Sequence, residues 1–219
     1  TRLVLTNAIY FNAAWNKPFD DVMTGDGLFY LPAGDAVTVP MMRQTESFGY
    51  GEGEAYQALE MPYDGRELSM LILLPRAGAF EAFEKSLDAG MVNTILQVLA
   101  RRRVALTMPR YKFESDFMLK ETLAALGMAH AFSDDADFSG MDGSRTVQIS
   151  DVIHKAFVAV DEAGTEAAAA TAVVMRAKSM PIMEEPLEVT IDRPFIFLIR
   201  DIATASILFM GRVVDPGAG

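Results

Sequence analysis

The chain has 219 residues, of which 51% are hydrophobic and 22% charged, and its net charge is −11 at pH 7. This composition indicates a globular fold, and the negative charge argues against a nucleic-acid partner. With no cysteine and two histidines, the sequence excludes disulfides, thiolate ligands and a three-histidine zinc site. No apolar run reaches the ~18–20 residues that a membrane span needs.

The first part of the chain predicts strands. LVLTNAIYF (3–11) is rich in β-branched and aromatic residues and predicts a buried strand. Because the chain opens on Thr1, without an initiator methionine, and runs at once into this apolar segment, we expect it to be part of a longer protein. Glycine and proline punctuate residues 24–50, which predicts several short strands and turns.

A hairpin and two helical pieces are expected next. Segments 57–63 and 67–75 are apolar and flank Asp64-Gly65, a strong hairpin signal. Residues 79–101 have helical apolar spacing, which Gly90 is expected to divide into two pieces.

A strand and the best helix of the sequence follow. Residues 101–113 alternate like a strand. Residues 115–128 predict a helix that Ser115 caps and Gly127 ends. Three further strands are predicted in the last third of the chain, the second of them interrupted at Pro194: VIHKAFVAVD, LEVTIDRPFIFLIRD and SILFMGRVVDP. Strands dominate without strict alternation with helices, so the predicted fold class is α+β.

Local motifs for chemistry are weak. The acidic stretch 134–143 lacks the ligand spacing of an EF-hand, and residues 140–144 lack that of a nucleophile elbow. The basic run 101–103 is typical of a solvated strand edge. His154 alternates with apolar neighbours, which is typical of a hydrogen-bonded core histidine. The residues predict no cofactor, no metal site and no enzyme.

The stretch DEAGTEAAAATAVVMRAKS (161–179) is ambiguous. Its four alanines favour a surface helix. Its β-branched residues and the glycine near its start weaken that interpretation, and both interpretations stay open on composition alone.

Eight segments match one family pattern in order: LVLTNAIYFNAAWNKPF (3–19), VPMM (39–42), LPR (74–76), MPRYKFES (108–115), LGM..AFSDDADFSGM (126–141), IHKAFVAVDEAGTEAAAATA (153–172), RPFIFLIRD (193–201) and FMGRVVDP (209–216). On these motifs the chain resembles the serpins, which are protease inhibitors that act as conformational traps. The resemblance implies one serpin domain over 1–219, corresponding to the C-terminal portion that starts at the third strand of the central sheet. It also implies mostly antiparallel sheets, few helices and an exposed reactive-centre loop over 162–182.

The resemblance implies that this loop enters the central sheet as a strand after attack by a protease. The residues of its hinge would be Glu162, Gly164, Thr165, Glu166, Ala167, Ala168, Ala169, Ala170 and Thr171. A strand places alternate side chains on one face, and the face that Thr165 starts carries nothing larger than valine. Small side chains can slip between existing strands without overpacking them. Gly164 is expected to act as a flexible pivot.

The family spacing implies a scissile bond sixteen positions after Glu162, between Lys178 and Ser179. A lysine there predicts trypsin-like targets, whose specificity pocket carries a carboxylate. Arg176 is the alternative, while Met175 or Met180 would suit chymotrypsin-like or elastase-like enzymes.

Further roles follow from the resemblance. Asn7 and His154 match the shutter pair, for which a mutual hydrogen bond is expected, and Trp15 matches the breach tryptophan. Arg110 is expected to pair with Glu162 at the base of the loop, and loss of either charge to favour loop–sheet polymers.

The predicted function is therefore suicide inhibition of a serine protease, which would be held as a covalent acyl-enzyme complex. The alternatives are a non-inhibitory serpin with a carrier, chaperone or structural role, and a hydrolase that uses His154 with a serine. The native protein is expected to be a monomer. Its location stays open, and the resemblance slightly favours an extracellular or periplasmic one. The first strand alone would expose an apolar edge, so this part of a serpin by itself is expected to aggregate.

Overall fold

The computed structural model of the chain describes residues 2–165 and 185–218. The chain divides into two compact units, the first formed by Thr1–Phe11 and Phe113–Val158, the second by Asn12–Lys112 and Ala159–Gly219. The prediction that 1–219 is a single domain stays a prediction. The predicted α+β class is confirmed, because strands dominate and few helices accompany them.

The first unit is built around a parallel strand pair. Strand β1 (Arg2–Tyr10) pairs with the long strand β9 (Gln148–Val160), whose last two residues belong to the second unit. Strand β8 (Tyr111–Met118) also pairs with β9. Among the described residues β1 pairs with no other strand, and it leaves Val4 and Tyr10 at least half exposed.

The predicted helix over 115–128 is wrong at its start, whereas its later part is helical from Lys120, and Gly127, with a φ of 108°, interrupts the helical conformation where the helix was predicted to end. Strand β8 occupies its first four residues, 115–118, so Ser115 lies in a strand and does not cap a helix. Pairing with β9 and stacking of Phe117 on His154, with ring centroids 6.2 Å apart, override the helical spacing. Three short helical segments follow one another directly, Lys120–Leu123, Ala124–Met128 and Ala129–Phe132, and a single turn forms at Ser139–Asp142.

The second unit contains an eight-stranded sheet. Its strands are β3 Gly25–Tyr30, β4 Ala36–Glu52, β5 Tyr56–Pro62, β6 Leu68–Pro75, β7 Ala100–Pro109, β11 Leu187–Thr190, β12 Phe195–Asp201 and β13 Ile207–Val213. They lie in the order β11-β7-β4-β5-β6-β12-β13, with β3 paired to β4. The predicted hairpin is confirmed as β5–β6, with Gly65 at a φ of 77° in the connection. The interruption at Pro194 is confirmed as well, since it separates β11 from β12.

Two expectations in this unit are wrong in detail. Residues 36–52 form one long strand rather than several short ones, because β4 pairs with β3, β7 and β5 in turn along its length. Helix α1 (Phe80–Ser86) and helix α2 (Ala89–Val98) are separated before Asp88 and not at Gly90. The Asp88 carboxylate accepts the backbone N–H of Met91 at 2.7 Å, and this N-cap sets the start of α2.

The helices α1 and α2 cover one face of the sheet. The buried residues that pack together there come from β5, β6, β12 and both helices: Ala58, Leu71, Leu73, Phe83, Val92, Ile95, Ile196 and Leu198. On β12 the side chain of Leu198 is fully buried in this cluster. Burial of such side chains is the main source of stability of the unit.

We predict that Leu198→Ala lowers the free energy of unfolding by about 2–5 kcal/mol, because it removes buried methyl groups and leaves a cavity. Urea denaturation of the complete protein measures this change. Leu208→Ala is the control, since Leu208 is 47% exposed, and it should cost less than about 1 kcal/mol. Equal losses in the two variants would contradict the assignment of the core.

Candidate functional site

The described part of the predicted loop is a tight turn followed by a two-residue strand. The Asp161 carboxylate accepts the backbone N–H groups of Ala163 and Gly164, at 2.9 and 3.1 Å, and the Asp161 N–H donates to the Gly164 carbonyl at 2.9 Å. An aspartate that bonds backbone two and three residues ahead is typical of a turn. The turn leads into strand β10, Gly164–Thr165.

Strand β10 is paired on both of its edges. It runs antiparallel to strand β2 (Ala13–Ala14), with Gly164 opposite Ala14 and Thr165 opposite Ala13. On its other edge Thr165 pairs with Val160 at the end of β9. We call the residues that hold this strand, namely Ala13–Trp15, Tyr63 and Asp161–Thr165, the hinge seat.

Position 164 requires glycine, because a side chain would collide with the backbone of the neighbouring strand. A Cβ atom built on it would lie 2.3 Å from the Ala13 carbonyl oxygen and 2.7 Å from the Ala14 Cα atom. Both are backbone atoms, which cannot move aside as the end of a side chain can. The structure therefore shows Gly164 buried in a close backbone contact, whereas the sequence predicted a flexible pivot there.

Trp15 fixes the turn through three kinds of contact. Its indole N–H donates to the Asp161 carbonyl at 3.0 Å, and its backbone N–H donates to the Ala163 carbonyl at 2.9 Å. Its ring stacks on Tyr63 with centroids 4.6 Å apart and planes 9° from parallel. The tryptophan is 2% exposed, so these contacts are shielded from water.

Glu162 is a buried carboxylate with charged and neutral donors. Arg110 Nη2 lies 2.6 Å from both carboxylate oxygens, and the Thr24 hydroxyl donates to Oε1 at 2.7 Å. Burial disfavours the charged form of Glu162, but the hydrogen bonds from Arg110 and Thr24 outweigh it, so its pKa lies below the ordinary value. The structure thus brings together the predicted partners Arg110 and Glu162.

The predicted pair Asn7 and His154 lies in the first unit, where the two residues are register partners in the parallel β1–β9 ladder. The expected hydrogen bond between them is absent from the contacts of the described residues. The imidazole ring stacks on Phe117 instead, and exposed Asn7 can bond to solvent. Within the described part of the chain, no serine or carboxylate bonds to His154, which gives no support to a hydrolase.

Several predicted residues lie outside the described part of the chain: Glu166, Ala167, Ala168, Ala169, Ala170, Thr171, Met175, Arg176, Lys178, Ser179 and Met180. The helix alternative for the alanine run lies there too. Within the described residues, no group of three or more histidine or acidic side chains is placed to hold a metal ion. No helix of that part has the length and apolar character to cross a bilayer.

Three residues of the site escaped the sequence analysis. Asp161 could have been recognised, because an aspartate ahead of Glu-Ala-Gly is a turn signal. Thr24 and Tyr63 could not, since each meets its partner across more than a hundred residues of chain and no local pattern links them.

Comparison with known proteins decides the family. The family model for serpins, described as serine protease inhibitors, matches residues 1–216. The chain belongs to the serpin family. This confirms the resemblance drawn from the motifs.

Individual relatives agree with this assignment. An uncharacterized serpin-like protein of Thermococcus kodakarensis is 45% identical over 100% of this chain and 51% of its own length. Leukocyte elastase inhibitor A of Mus musculus is 42% identical over 99% of this chain and 59% of its own. The chain therefore spans about half the length of the curated relatives it matches.

A solved structure supports the serpin fold. Human thyroxine-binding globulin, crystallised with its ligand, superposes with a TM-score of 0.85 at 32% identity, over 97% of this chain and 56% of that one. The predicted serpin fold is confirmed by this likeness.

We predict that Glu162→Gln lowers the free energy of unfolding of the complete protein by about 1–3 kcal/mol at pH 7, because the amide keeps one acceptor oxygen but loses the charge and the second acceptor oxygen that face Arg110 in a buried place. Since the pKa of Glu162 is lowered by folding, its contribution is complete above the unfolded pKa, about 4.5, and is lost as the pH falls through the lower folded pKa. The stability difference between wild type and variant should therefore shrink below about pH 4.5.

Urea denaturation at pH 7 and at a series of acidic values measures both effects. Glu84→Gln is the control, because the Glu84–Arg212 ion pair lies on the surface of the same unit. It should change stability by less than about 1 kcal/mol. A Glu162→Gln variant as stable as this control would contradict the account of the ion pair.

Proposed function

We propose that this chain carries the reactive-centre loop of an inhibitory serpin, which traps a serine protease as an acyl-enzyme by inserting that loop into a β-sheet. One observation supports this most strongly. The first two residues after the turn, Gly164 and Thr165, are already a strand that is paired on both edges. The loop thus starts from a place where further strand can be added in continuous register.

The register of strand β10 supports one direction for the proposed insertion. Strand β10 runs antiparallel to both β2 and the end of β9. Residues after Thr165 would therefore pair on one side with the β9 residues that precede Val160, and on the other side with the residues that precede Ala13. Strands β1 and β9 are paired directly there, through Tyr10 opposite Phe157. Insertion therefore requires this ladder to open, and the small hinge residues Ala167, Ala169 and Thr171 fit a newly opened gap.

The energetics favour an irreversible step. Adding about a dozen residues as a strand would form roughly a dozen backbone hydrogen bonds, worth about 0.5–1.5 kcal/mol each and on the order of ten kcal/mol together. About 15 residues of extended chain reach ~50 Å, far enough to carry an attached protease away. Distortion of the protease then removes the oxyanion stabilisation that hydrolysis of the acyl-enzyme needs.

The scissile bond is proposed between Lys178 and Ser179, with Arg176 as the alternative. The lysine favours a trypsin-like protease, because the specificity pocket of such an enzyme carries a carboxylate. The protease supplies the nucleophile and the base, and the serpin supplies the substrate segment and the conformational change.

A second candidate is a non-inhibitory carrier, which the likeness to thyroxine-binding globulin favours. The hinge sequence speaks against it. Residues 165–172 read Thr-Glu-Ala-Ala-Ala-Ala-Thr-Ala, without the proline or bulky residues that would hinder insertion.

We predict that the complete protein forms a covalent complex with trypsin that survives SDS, with cleavage after Lys178. Electrophoresis combined with mass spectrometry measures both. Lys178→Ala should abolish the trypsin complex, whereas Arg176→Ala, the matched control two residues away, should retain it.

Cleavage without a covalent complex would contradict the proposed function. Complete cleavage of the loop by trypsin-, chymotrypsin- and elastase-type enzymes without any covalent complex would overturn the inhibitory function and leave the carrier.

A further inference from the structure

One buried contact joins the hinge to Tyr63, which follows a strand of the eight-stranded sheet. The Tyr63 hydroxyl lies 2.8 Å from the Thr165 hydroxyl, across 102 residues of chain. Thr165 is fully buried and Tyr63 is 1% exposed. Thr165 is the last residue of β10, and in the proposed function the inserting strand continues from residue 166. This contact therefore lies directly before the point where insertion would begin.

Tyr63 is itself held firmly. Its ring stacks on Trp15, and the two residues are joined by an antiparallel backbone bridge. It directly follows β5, which lies inside the eight-stranded sheet. Burial raises the pKa of Tyr63 and the bond to Thr165 lowers it slightly, so the pKa ends well above its ordinary value. The phenol stays protonated at neutral pH and keeps a proton to share with Thr165.

Strand β10 alone is a weak determinant of register. Two residues form few backbone bonds, and short strand pairs are marginal in water. A slip of one residue would turn every following side chain to the opposite face. Thr165, Ala167, Ala169 and Thr171 would then exchange places with Glu166 and its neighbours, which would bring a charge to the face that enters the sheet.

We propose that Tyr63 is a positioning residue for loop insertion, whose hydroxyl holds Thr165 in the hinge seat and so sets the register in which the following residues enter the sheet. This inference rests on the proposed inhibitory function. The required partner at position 165 is a side chain with a hydroxyl on Cβ, that is, threonine or serine. Any other residue leaves the buried Tyr63 hydroxyl without this partner.

The consequence is kinetic. An attached protease is either trapped by insertion or released by hydrolysis, and the ratio of the two rates sets how many inhibitor molecules are consumed per protease. We call the hinge seat closed when the Tyr63–Thr165 hydrogen bond is formed and Thr165 is paired, and open when it is not. Loss of a buried hydrogen bond of about 1–1.5 kcal/mol lowers the population of the closed state about five- to tenfold relative to the open state. Insertion from the seat slows accordingly, and more inhibitor is cleaved without trapping.

The test compares wild type with Tyr63→Phe in the complete protein. The stoichiometry of inhibition of trypsin should rise several-fold in the variant, with cleaved serpin accumulating. Independently of any protease, deuterium exchange of the segment 159–165 should become about five- to tenfold faster.

Tyr50→Phe is the matched control. The Tyr50 hydroxyl also bonds inside the second unit, to Glu52 at 2.7 Å and Gln57 at 3.1 Å, but away from the hinge. Its loss should leave both the stoichiometry and the exchange of 159–165 unchanged. Thr165→Ser should behave like wild type, Thr165→Val like Tyr63→Phe, and the double variant no worse than either single one.

The outcomes separate the two proposals. If wild type forms no covalent complex, the inhibitory function fails, while the exchange experiment still decides whether Tyr63 holds the hinge. Unchanged exchange in Tyr63→Phe overturns the inference, and so does an unchanged stoichiometry when wild type forms the complex. Failure of Thr165→Ser to match wild type also counts against it.

Discussion

The contact on which the site depends is the approach of Gly164 to the backbone of Ala13 and Ala14. No Cβ fits at that distance, and only this approach lets β10 pair with β2. This pairing places the Thr165 hydroxyl beside the Tyr63 hydroxyl and the Glu162 carboxylate beside the Arg110 guanidinium. A single glycine thus sets the geometry of both polar contacts at the start of the loop.

The hinge seat combines rigid and polar elements in one small volume. The stacked rings of Trp15 and Tyr63 are buried and exclude water from one side of the hinge seat. The turn that Asp161 closes follows next, together with the Glu162 carboxylate, which pairs with Arg110. Among the described residues, no buried side-chain polar atom of the hinge seat lacks a hydrogen-bond partner, as a buried polar group must not if it is to cost no free energy. In the proposed function, this arrangement holds the first two residues of a strand in place while the chain beyond Thr165 serves as the protease substrate.

Sequence reasoning succeeded where the pattern was local and failed where tertiary pairing decided. The β5–β6 hairpin and the break at Pro194 follow from turn residues, and both were predictable. The segment 115–128 has helical spacing throughout, yet its first four residues belong to β8 because β9 offers a partner strand. Long-range pairing of this kind leaves no trace in a single segment.

The candidate site shows the same division. The hinge, Trp15 and the pair Arg110–Glu162 were reached through motifs that the family shares. Tyr63 was not, because its role arises from a contact over a hundred residues away. The expected Asn7–His154 bond was wrong for a related reason, since pairing in the ladder does not determine which neighbour a ring contacts, and His154 stacks on Phe117.

The central claim is that the chain after Thr165 can add itself to the sheet from a strand that is already in place. The most direct measurement is the thermal midpoint of the complete protein before and after a single cut between residues 166 and 184. Insertion of the freed segment should raise the midpoint by roughly 20 °C or more, since it adds on the order of ten kcal/mol of strand pairing. A midpoint that stays the same or falls would contradict the claim, because a cut without insertion only adds conformational freedom to the chain.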